Sequence, residues 1–405
     1  MTRTVMDIVN EHENWRYYNC INLIPSENVT SPQVRALLSC DMGHRYTMPA
    51  SAKVHGSVVE NAYRGTKYTD EVEALCAETA CRIFKAEHAC VKPLSGHISA
   101  MISLVSALKK GDKYFAIGPE NGGYDGYGSG YFAEMMSLKF TPIPFNKKRW
   151  NIDYVKTVKL IKHKKPNAII VGASFILFPY DLDMLYDVCK KTGSTMMYDA
   201  SHVLGLIAGS EFQPNPLEAG CDVIYGSTHK SFFGPQGGIV LTNDDSLWKK
   251  IQKNITWKTM DNAHWNRIAA LAQAMSEMQT FGQSYARQTV SNARSLGKAL
   301  NEQGFPIKYE ELGFTDSHQL AIDVNGVHKN FGFEINELAK HLENNNIIID
   351  AVGRIGTNEI TRMGFKESDM NALAEIIVQA VKDKKDVRDK VKLLRAEREV
   401  EYCFK

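Results

Sequence analysis

The chain has 405 residues, which is too long for one small core and predicts two domains. Its 48 basic and 46 acidic residues nearly balance and 44% of its residues are hydrophobic, so a nucleic-acid or membrane-surface partner is not indicated. The eight cysteines include no CxxC pair, which favours free thiols in a reducing compartment over disulfides or a metal site. The polar N-terminus and the absence of a long apolar run predict a cytoplasmic protein.

The first predicted elements lie between residues 70 and 111. Apolar residues at helical spacing predict a helix over residues 70–88. The segment VKPLSG, residues 91–96, predicts a short strand and a turn. Residues 97–111 predict a second helix that ends at Gly111, because glycine is common just after helix ends.

Five short apolar runs then alternate with helical patterns: KYFAIG, AIIVGAS, TMMYDA, VIYGS and GGIVLT. Such runs are typical of strands buried on both faces, and the alternation predicts an α/β fold with a mostly parallel sheet between helices. Ligands of such sheets bind beyond the carboxyl ends of the strands. The polar residues near those ends are therefore candidates for a binding site: Ser95, Ser174, Asp199, His202, Ser227, Thr228, His229 and Lys230.

The C-terminal part of the chain has a different pattern. Residues 262–303 predict a long helix, and residues 304–380 predict a second, α+β domain with strands at QLAIDV and IIIDAV. The last 35 or so residues are charged and predict a helical tail. We therefore expect an N-terminal arm over 1–30, a large cofactor-binding domain over 31–280 and a small domain over 281–405.

The segment GSTHKSFFGPQGG, residues 226–238, places Lys230 among small and polar residues. A partly desolvated lysine can form a Schiff base with an aldehyde, the bond that pyridoxal phosphate enzymes use. Such an enzyme also needs an acid at the ring nitrogen, and Asp199 ends an apolar run 31 residues earlier. Ser95 and Gly96 open a helix, as a phosphate site requires. Each feature alone is common in structural lysines and helix caps, but their order along the chain predicts bound pyridoxal 5′-phosphate.

Four segments together resemble serine hydroxymethyltransferase, particularly its archaeal form: NLIPSENVTSP, YDASHVLGLIAG, GSTHKSFFGPQGG and GRIGTNEITRMGFKE. The resemblance extends from about residue 15 to residue 380. It implies the fold type I architecture of pyridoxal phosphate enzymes, similar to aspartate aminotransferase. That architecture has a large domain with a mixed, mostly parallel seven-stranded sheet and a smaller α+β C-terminal domain. It also implies a homodimer with shared active sites, with a tetramer as the alternative.

The resemblance implies roles for individual residues. Lys230 would form the Schiff base, Asp199 would hold the pyridine nitrogen, and Arg354 would grip the substrate carboxylate through a guanidinium fork. The resemblance places the others as follows: His202 and Ser174 near the cofactor's phenolic oxygen, Ser95, Gly96 and His97 at its phosphate, Ser227, Thr228 and His229 beside the lysine, Ser26 and Glu27 at the substrate carboxylate, and Tyr46 and Tyr63 lining the substrate site.

Simpler interpretations exist for several of these residues. Ser26 could cap a helix that starts near Ser31. Tyr46 and Tyr63 could be packing residues, and His202 and His229 could be core histidines with satisfied hydrogen bonds.

Three departures from the family pattern lie on the substrate side. Met48 stands where the family has a glutamate that handles the substrate hydroxyl, and the loop to Tyr63 is longer, so that Glu60 or His55 could substitute for it. Tyr124 replaces a histidine that stacks on the cofactor ring; a tyrosine can stack, but it does not exchange protons near neutral pH. A glycine-rich loop of the family is replaced by NITWKTMDNAHWNR, in which Lys258 or Trp257 could bind the phosphate.

The resemblance implies reversible aldol chemistry at the Cα–Cβ bond of β-hydroxy amino acids, through a glycine quinonoid. We expect Lys230, Asp199, His202, Tyr46 and Tyr124 to take part in catalysis. The one-carbon acceptor would be tetrahydrofolate or another tetrahydropterin. Threonine transaldolase or aldolase activity without folate is a close alternative, and a decarboxylase or racemase a weaker one. A non-catalytic relative is disfavoured, since it would be expected to lose the lysine or the aspartate.

Overall fold

The computed structural model describes residues 3–54, 57–128 and 130–405, without the side chains of residues 49–60 and 257. The α-helices of the described residues are, in chain order, α1 (Val5–His12), α2 (Pro32–Leu37), α3 (Lys67–Phe84), α4 (Gly96–Ala107), α5 (Phe132–Met135), α6 (Tyr154–Lys164), α7 (Leu182–Thr192), α8 (Leu204–Ala208), α9 (Asp245–Asn254), α10 (Trp265–Glu302), α11 (Val324–Phe331), α12 (Ile335–Glu343), α13 (Asn358–Arg362), α14 (Glu367–Val381) and α15 (Arg388–Arg395). The strands are β1 (Ile21–Asn22), β2 (Pro49–Val54), β3 (Ser57–Asn61), β4 (His88–Cys90), β5 (Lys113–Ala116), β6 (Lys139–Pro142), β7 (Phe145–Asn146), β8 (Asn151–Ile152), β9 (Ala168–Val171), β10 (Thr195–Asp199), β11 (Val223–Ser227), β12 (Gly238–Thr242), β13 (Gln319–Ala321), β14 (Ile347–Ile348) and β15 (Arg354–Gly356).

The chain forms two compact units. The sheet unit comprises Thr30–Gln283 and Tyr402–Lys405, and the terminal unit comprises Met1–Val29 and Ser284–Glu401. Compactness alone does not establish independent domains, so the expected division at residues 30 and 280 stays a prediction.

The sheet unit contains a seven-stranded sheet with the order β4-β12-β11-β10-β9-β5-β6. The pairs from β11 to β6 are all parallel, and only β12 runs against its two neighbours. This mixed, mostly parallel sheet confirms the predicted fold class. Four of the five predicted strands of this region have their carboxyl ends at the same edge, because parallel strands share their direction.

Alternate positions of the central strands are buried alike. Ala168 and Ile170 of β9 belong to one apolar cluster with Met197 of β10 and with Val223 and Tyr225 of β11. The intervening residues of β9 and β11 are buried as well. Since side chains alternate between the faces of a strand, both faces of the sheet are covered, which explains the nearly continuous apolar runs in the sequence.

Some boundaries differ from the prediction. The strand predicted at residues 91–96 is instead β4, the first strand of the seven-stranded sheet, and it ends at Cys90; Pro93 has no N–H to donate to a ladder. Helix α3 ends at Phe84 because Lys85 takes a left-handed conformation, with φ 49°. Helix α4 ends at Ala107 rather than near Gly111, because Leu108 is extended and Asp112 accepts a hydrogen bond from the Lys109 N–H in the following turn.

The terminal unit is built on its own apolar core. Leu300 of α10, Leu320 of β13, Ile355 of β15 and Leu373 of α14 are all buried in one cluster. Strands β13 and β15 pair antiparallel, and β1 pairs parallel with β14. The predicted helical tail is wrong at its end, since no helix follows Arg395. Among the described residues, no helix combines the length and the apolar character needed to cross a membrane.

Candidate functional site

A cavity lies where the parallel strands of the sheet unit end. Asp199 and Ser227 are the last residues of β10 and β11, and Ser174 follows β9 by three residues. The empty space is about 370 Å³, including its part open to solvent. The lining residues are Gly96, His97, Tyr124, Ala173, Ser174, Asp199, Ser201, His202, Ser227 and Lys230.

Lys230 and Asp199 supply the cavity with an amine and a carboxylate. The Nζ atom of Lys230 lies 3.5 Å from Nε2 of His202, whose side chain is only 3% exposed. Asp199 is 8% exposed. A carboxylate with so little exposure interacts more strongly with an opposite charge than it would at the surface, so this cavity favours ligands that carry a positive charge at that point.

Asp199 is held by two donors, one at each carboxylate oxygen. Its Oδ2 atom accepts a hydrogen bond of 2.6 Å from the hydroxyl of Tyr127, and its Oδ1 atom accepts one of 3.0 Å from the Ser201 N–H. The hydroxyls of Tyr127 and Tyr225 are also 2.6 Å apart. Burial raises the pKa values of both tyrosines well above 10, so both remain neutral hydrogen-bond donors.

The N-terminus of α4 forms one wall of the cavity. Ser95 caps this helix by accepting a hydrogen bond of 3.2 Å from the Ile98 N–H. The N–H groups of the first turn, at Gly96 and His97, have no partner within the helix by its geometry. A Cβ atom at Gly96 would overlap the hydroxyl of Ser227, so only glycine fits here. Helix N–H groups beside hydroxyls can bind an anion.

Tyr124 and His97 form a hydrogen-bonded pair. The Tyr124 hydroxyl lies 2.6 Å from Nδ1 of His97, and the Tyr124 ring packs edge-on against Tyr127 at 5.3 Å between centroids. Burial raises the pKa of Tyr124, with a smaller contribution from the charge of Asp199, and burial lowers the pKa of His97. Tyr124, which departs from the family pattern, is thus hydrogen-bonded to His97, a residue that the resemblance places at the cofactor phosphate.

Thr228 and His229, which precede Lys230, do not line the cavity; they stabilise the loop of residues 228–237 that carries Lys230. The Thr228 hydroxyl donates to the Pro235 carbonyl at 2.8 Å, and the Gly237 N–H donates to Nδ1 of His229 at 3.4 Å. Burial, and then the charge of Lys230, lowers the pKa of His229 from 6.5 to about 4. His229 is therefore a neutral acceptor that ties the two ends of the loop together.

Tyr46 and Tyr63 lie together elsewhere in the sheet unit. Their ring centroids are 5.2 Å apart, and they are 46% and 39% exposed, which does not fit the alternative of core packing residues. The Tyr46 hydroxyl donates to Oδ2 of Asp261 at 2.8 Å. This hydrogen bond is the main reason for the raised pKa of Tyr46.

The longer loop between these tyrosines contains the hairpin of β2 and β3. Met48 precedes it, and its N–H donates to the side chain of Asn61 at 3.2 Å. The side chain of Glu60 and all of His55, the suggested substitutes for the missing glutamate, lie outside the described residues. The same holds for the side chain of Trp257, whereas Lys258 is exposed in the π-helical turn Ile255–Thr259.

The remaining predicted residues belong to the terminal unit. Arg354 donates through Nε to Oδ2 of Asp350 at 2.7 Å, and the Arg354 N–H donates to Oδ1 of the same carboxylate at 3.0 Å. Glu27 accepts hydrogen bonds from Arg16 at 2.6 Å and from Asn22 at 2.9 Å. Ser26 is half-buried in a turn.

The suggestion that Ser26 caps the next helix is wrong. The N-cap of α2 is Ser31, whose side chain accepts a hydrogen bond of 3.2 Å from the Val34 N–H. Ser31 directly precedes Pro32 at the first helical position, where proline is favoured, so the sequence already indicated this cap.

Four residues of these clusters were not singled out from the sequence: Tyr127, Ser201, Tyr225 and Asp261. Tyr225 had a detectable signal, because it lies two residues before Ser227 on the same strand face. Tyr127 lies in a short 3₁₀ turn and Asp261 outside the helices and strands, so their contacts depend on the folded chain, and no local pattern identified them.

The chain is similar to known proteins over its whole length. A sequence model of the family described as serine hydroxymethyltransferase matches residues 1–377. The serine hydroxymethyltransferase of Methanosphaera stadtmanae is 38% identical, over 99% of this chain and 95% of the relative. That of Methanocaldococcus jannaschii is 39% identical, over 95% of this chain and 91% of the relative.

The fold is also similar to a crystal structure of an L-threonine transaldolase from Pseudomonas fluorescens in its internal aldimine state. The TM-score is 0.87 and the identity 24%, over 98% of this chain and 93% of that chain. At this identity the likeness concerns the fold.

The lowered pKa of His229 gives a testable pH dependence. The unfolded chain binds a proton at this side chain below about pH 6.5, whereas the folded chain does so only near pH 4. The free energy of unfolding therefore falls as the pH decreases from 6.5 to 4. We expect His229→Gln to lose less stability than the parent chain across this window, measured by urea unfolding of protein prepared without cofactor. The exposed His163 supplies the control, His163→Gln. A parent-like pH dependence in His229→Gln would contradict the expectation.

Proposed function

The chain belongs to the serine hydroxymethyltransferase family of pyridoxal phosphate-dependent transferases, and from this premise we propose that it cleaves and forms the Cα–Cβ bond of β-hydroxy amino acids. The observation that supports the proposal most is the cavity in which the amine of Lys230, the buried carboxylate of Asp199 and the N-terminus of α4 face one space. The substrates would be small molecules, and the homodimer stays a prediction.

The residues present fit pyridoxal 5′-phosphate. Lys230 would hold its aldehyde carbon and Asp199 its ring nitrogen. The N–H groups at Gly96 and His97 would bind its phosphate, beside the hydroxyls of Ser201 and Ser227, and the lack of room for a Cβ at Gly96 agrees with close approach of an anion. The bound cofactor supplies an electron-withdrawing ring, which makes bonds at an amino acid's α-carbon breakable.

Arg354 would orient the substrate by its carboxylate. The Asp350 carboxylate accepts hydrogen bonds from both the backbone N–H and Nε of Arg354. These two bonds fix the direction in which the terminal NH₂ groups of the guanidinium point. A carboxylate that binds in this way is held through two parallel hydrogen bonds. Fixing the carboxylate would also limit rotation of the substrate about its α-carbon, and so would select which of the bonds at that carbon is broken.

Cleavage of the Cα–Cβ bond requires a group that takes the proton of the substrate hydroxyl. Met48 cannot do so, because a thioether has no basic site near neutral pH. We propose that the Tyr46 hydroxyl and the Asp261 carboxylate perform this task together, with Asp261 as the base; since this pair does not line the cavity of its own chain, the assignment requires the predicted homodimer with shared active sites. The 2.8 Å hydrogen bond between them supports this assignment, since it gives the proton a direct path to a carboxylate.

The acceptor of the cleaved fragment distinguishes two candidate reactions. Similarity to serine hydroxymethyltransferases over the whole chain favours transfer of a hydroxymethyl group to a tetrahydropterin such as tetrahydrofolate. Met48 in place of the family glutamate favours the alternative, in which a threonine transaldolase or aldolase exchanges aldehydes without folate. Another reaction type, such as decarboxylation or racemisation, is a weaker alternative that Tyr124 supports.

Replacement of Lys230 tests the cofactor assignment. We expect the purified protein to show the near-visible absorption of bound pyridoxal phosphate and to retain the cofactor on the Lys230 peptide after borohydride reduction, detected by mass spectrometry. Lys230→Ala should retain none, because no other amine replaces it in the cavity lining. Lys85→Ala, which removes an exposed lysine paired with Glu218, should behave like the parent. Cofactor mass on a different peptide of the parent would refute the assignment.

An assay of glycine release separates the candidate reactions. We expect glycine from serine, with a rate that rises on addition of tetrahydrofolate, and no glycine from the Lys230→Ala variant. Glycine from threonine without folate, together with uptake of an added aldehyde, would assign transaldolation instead. If no β-hydroxy amino acid yields glycine, the proposed bond cleavage is wrong.

Replacement of Asp261 tests the proposed base. Asp261→Asn keeps the size of the side chain but removes its basicity, so we expect kcat for glycine release to fall by about 10²-fold or more, with the cofactor absorption unchanged. Asp245→Asn is the matched control, since Asp245 is an exposed carboxylate that is also hydrogen-bonded to a ring side chain, that of His88. An unchanged kcat in Asp261→Asn would exclude Asp261 as the base.

A further inference from the structure

We propose that Tyr127 is a positioning residue. It accepts a hydrogen bond from Tyr225 and donates one to Asp199, and so holds the Asp199 carboxylate in the orientation that the ring nitrogen of the cofactor requires. This inference rests on the proposed function, because it assigns Asp199 to that nitrogen. It concerns two residues, Tyr127 and Tyr225, that neither the motifs nor the resemblance identified.

The direction of the hydrogen bonds follows from counting hydrogens. A tyrosine hydroxyl has one hydrogen and an ionised carboxylate has none. Tyr127 lies 2.6 Å from Oδ2 of Asp199 and 2.6 Å from the hydroxyl of Tyr225. Its single hydrogen must go to the carboxylate, so Tyr225 donates to Tyr127. The two tyrosines thus form a chain of donors that ends on Asp199, and bonds in such a chain strengthen one another.

The fold fixes both tyrosines. Tyr225 lies beside Asp199 in the parallel register of β10 and β11. Tyr127 ends a short 3₁₀ turn, Asp125–Tyr127, and its backbone carbonyl accepts a hydrogen bond from the hydroxyl of Tyr114. All three tyrosines are buried. A side chain anchored at its backbone and at its hydroxyl has little freedom, which suits a residue that must set the direction of a carboxylate.

The donors around Asp199 are neutral, and this matters for the bound ring. A cation at the same place would cancel the carboxylate charge, whereas hydroxyls stabilise the anion and leave its charge for a protonated ring nitrogen. The charge of Asp199 contributes to the raised pKa values of five tyrosines, for which burial is the main cause: Tyr124, Tyr127, Tyr180, Tyr198 and Tyr225. The cavity adds His97, His202 and Lys230.

Cofactor binding by the full-length chain tests the proposal. The cofactor is removed, pyridoxal phosphate is titrated back, and its dissociation constant is measured from pH 5 to 8. In Tyr127→Phe the carboxylate loses its hydroxyl donor, and a donor of this kind stabilises the charged form of a carboxylate. We expect binding to weaken by about tenfold, as for loss of one hydrogen bond to a charged group. We also expect the acid limb of binding, the pH range in which binding is lost on acidification, to move to higher pH. Tyr225→Phe should shift the limb in the same direction by less.

Tyr198→Phe is the matched control. Tyr198 is the residue next to Asp199 on β10, is fully buried, and its hydroxyl has no hydrogen-bond partner among the described residues. This variant removes a buried hydroxyl from the same strand, so it should leave the acid limb in place. Circular dichroism confirms that each variant is folded, and if Tyr127→Phe is not, the shift in Tyr225→Phe decides.

The proposal is overturned if the folded Tyr127→Phe variant keeps the parent's acid limb, or if Tyr198→Phe shifts the limb as far. If Tyr127→Phe does not fold, an unshifted Tyr225→Phe overturns it. These outcomes are distinct from failure of the proposed function, which would appear in the parent chain itself as absence of cofactor binding or of glycine release. The readout is the affinity for pyridoxal phosphate, so it does not depend on which amino acid is cleaved.

Discussion

A nearly buried carboxylate, held by hydroxyl and amide donors at the end of the central strands, is the constraint on which the site depends. An ionised group with 8% exposure is stable only if donors replace the lost water, and Asp199 obtains them from Tyr127 and from the Ser201 N–H. These donors come from different parts of the chain. The geometry of the fold around Tyr127, together with the local turn at Ser201, therefore determines how Asp199 is held.

The backbone around this carboxylate is correspondingly tight. Gly172, just after β9, has φ 123°, and a Cβ atom there would lie 3.0 Å from the Cβ of Asp199. A side chain at this position would both strain the backbone and displace the aspartate. At Gly96 the space is closed by the hydroxyl of Ser227. The strand ends are thus packed so closely that the cavity has little freedom to change its shape, which favours one ligand geometry.

The parts of the fold and the site that local sequence determines could be predicted. Continuous apolar runs identified β5, β9, β10, β11 and β12 in the sequence. Strands that are buried on both faces are apolar at nearly every position, so they stand out from the surrounding sequence. Lys230 and Asp199 could be expected at one edge because strands of a parallel sheet end together. The donors to Asp199 could not, since Tyr127 reaches it across 72 residues of sequence from an irregular turn. The strand predicted at residues 91–96 was wrong for a local reason: Pro93 has no backbone N–H to donate to a neighbouring strand.

The charges of the site divide it into a fixed part and a variable part. On the cofactor side, the proposed function gives each charge of pyridoxal phosphate a counterpart: the helix N-terminus would bind the phosphate and Asp199 the ring nitrogen. His229 stays neutral beside Lys230, so it adds no competing charge. On the substrate side, Met48 and Tyr124 remove two groups that could exchange protons near neutral pH. Under the proposed function, proton transfer would rely on other residues, and the Tyr46–Asp261 hydrogen bond joins a hydroxyl to a carboxylate. A chain that keeps its cofactor charges and relocates its base can retain bond cleavage at the α-carbon while changing the fragment that it accepts.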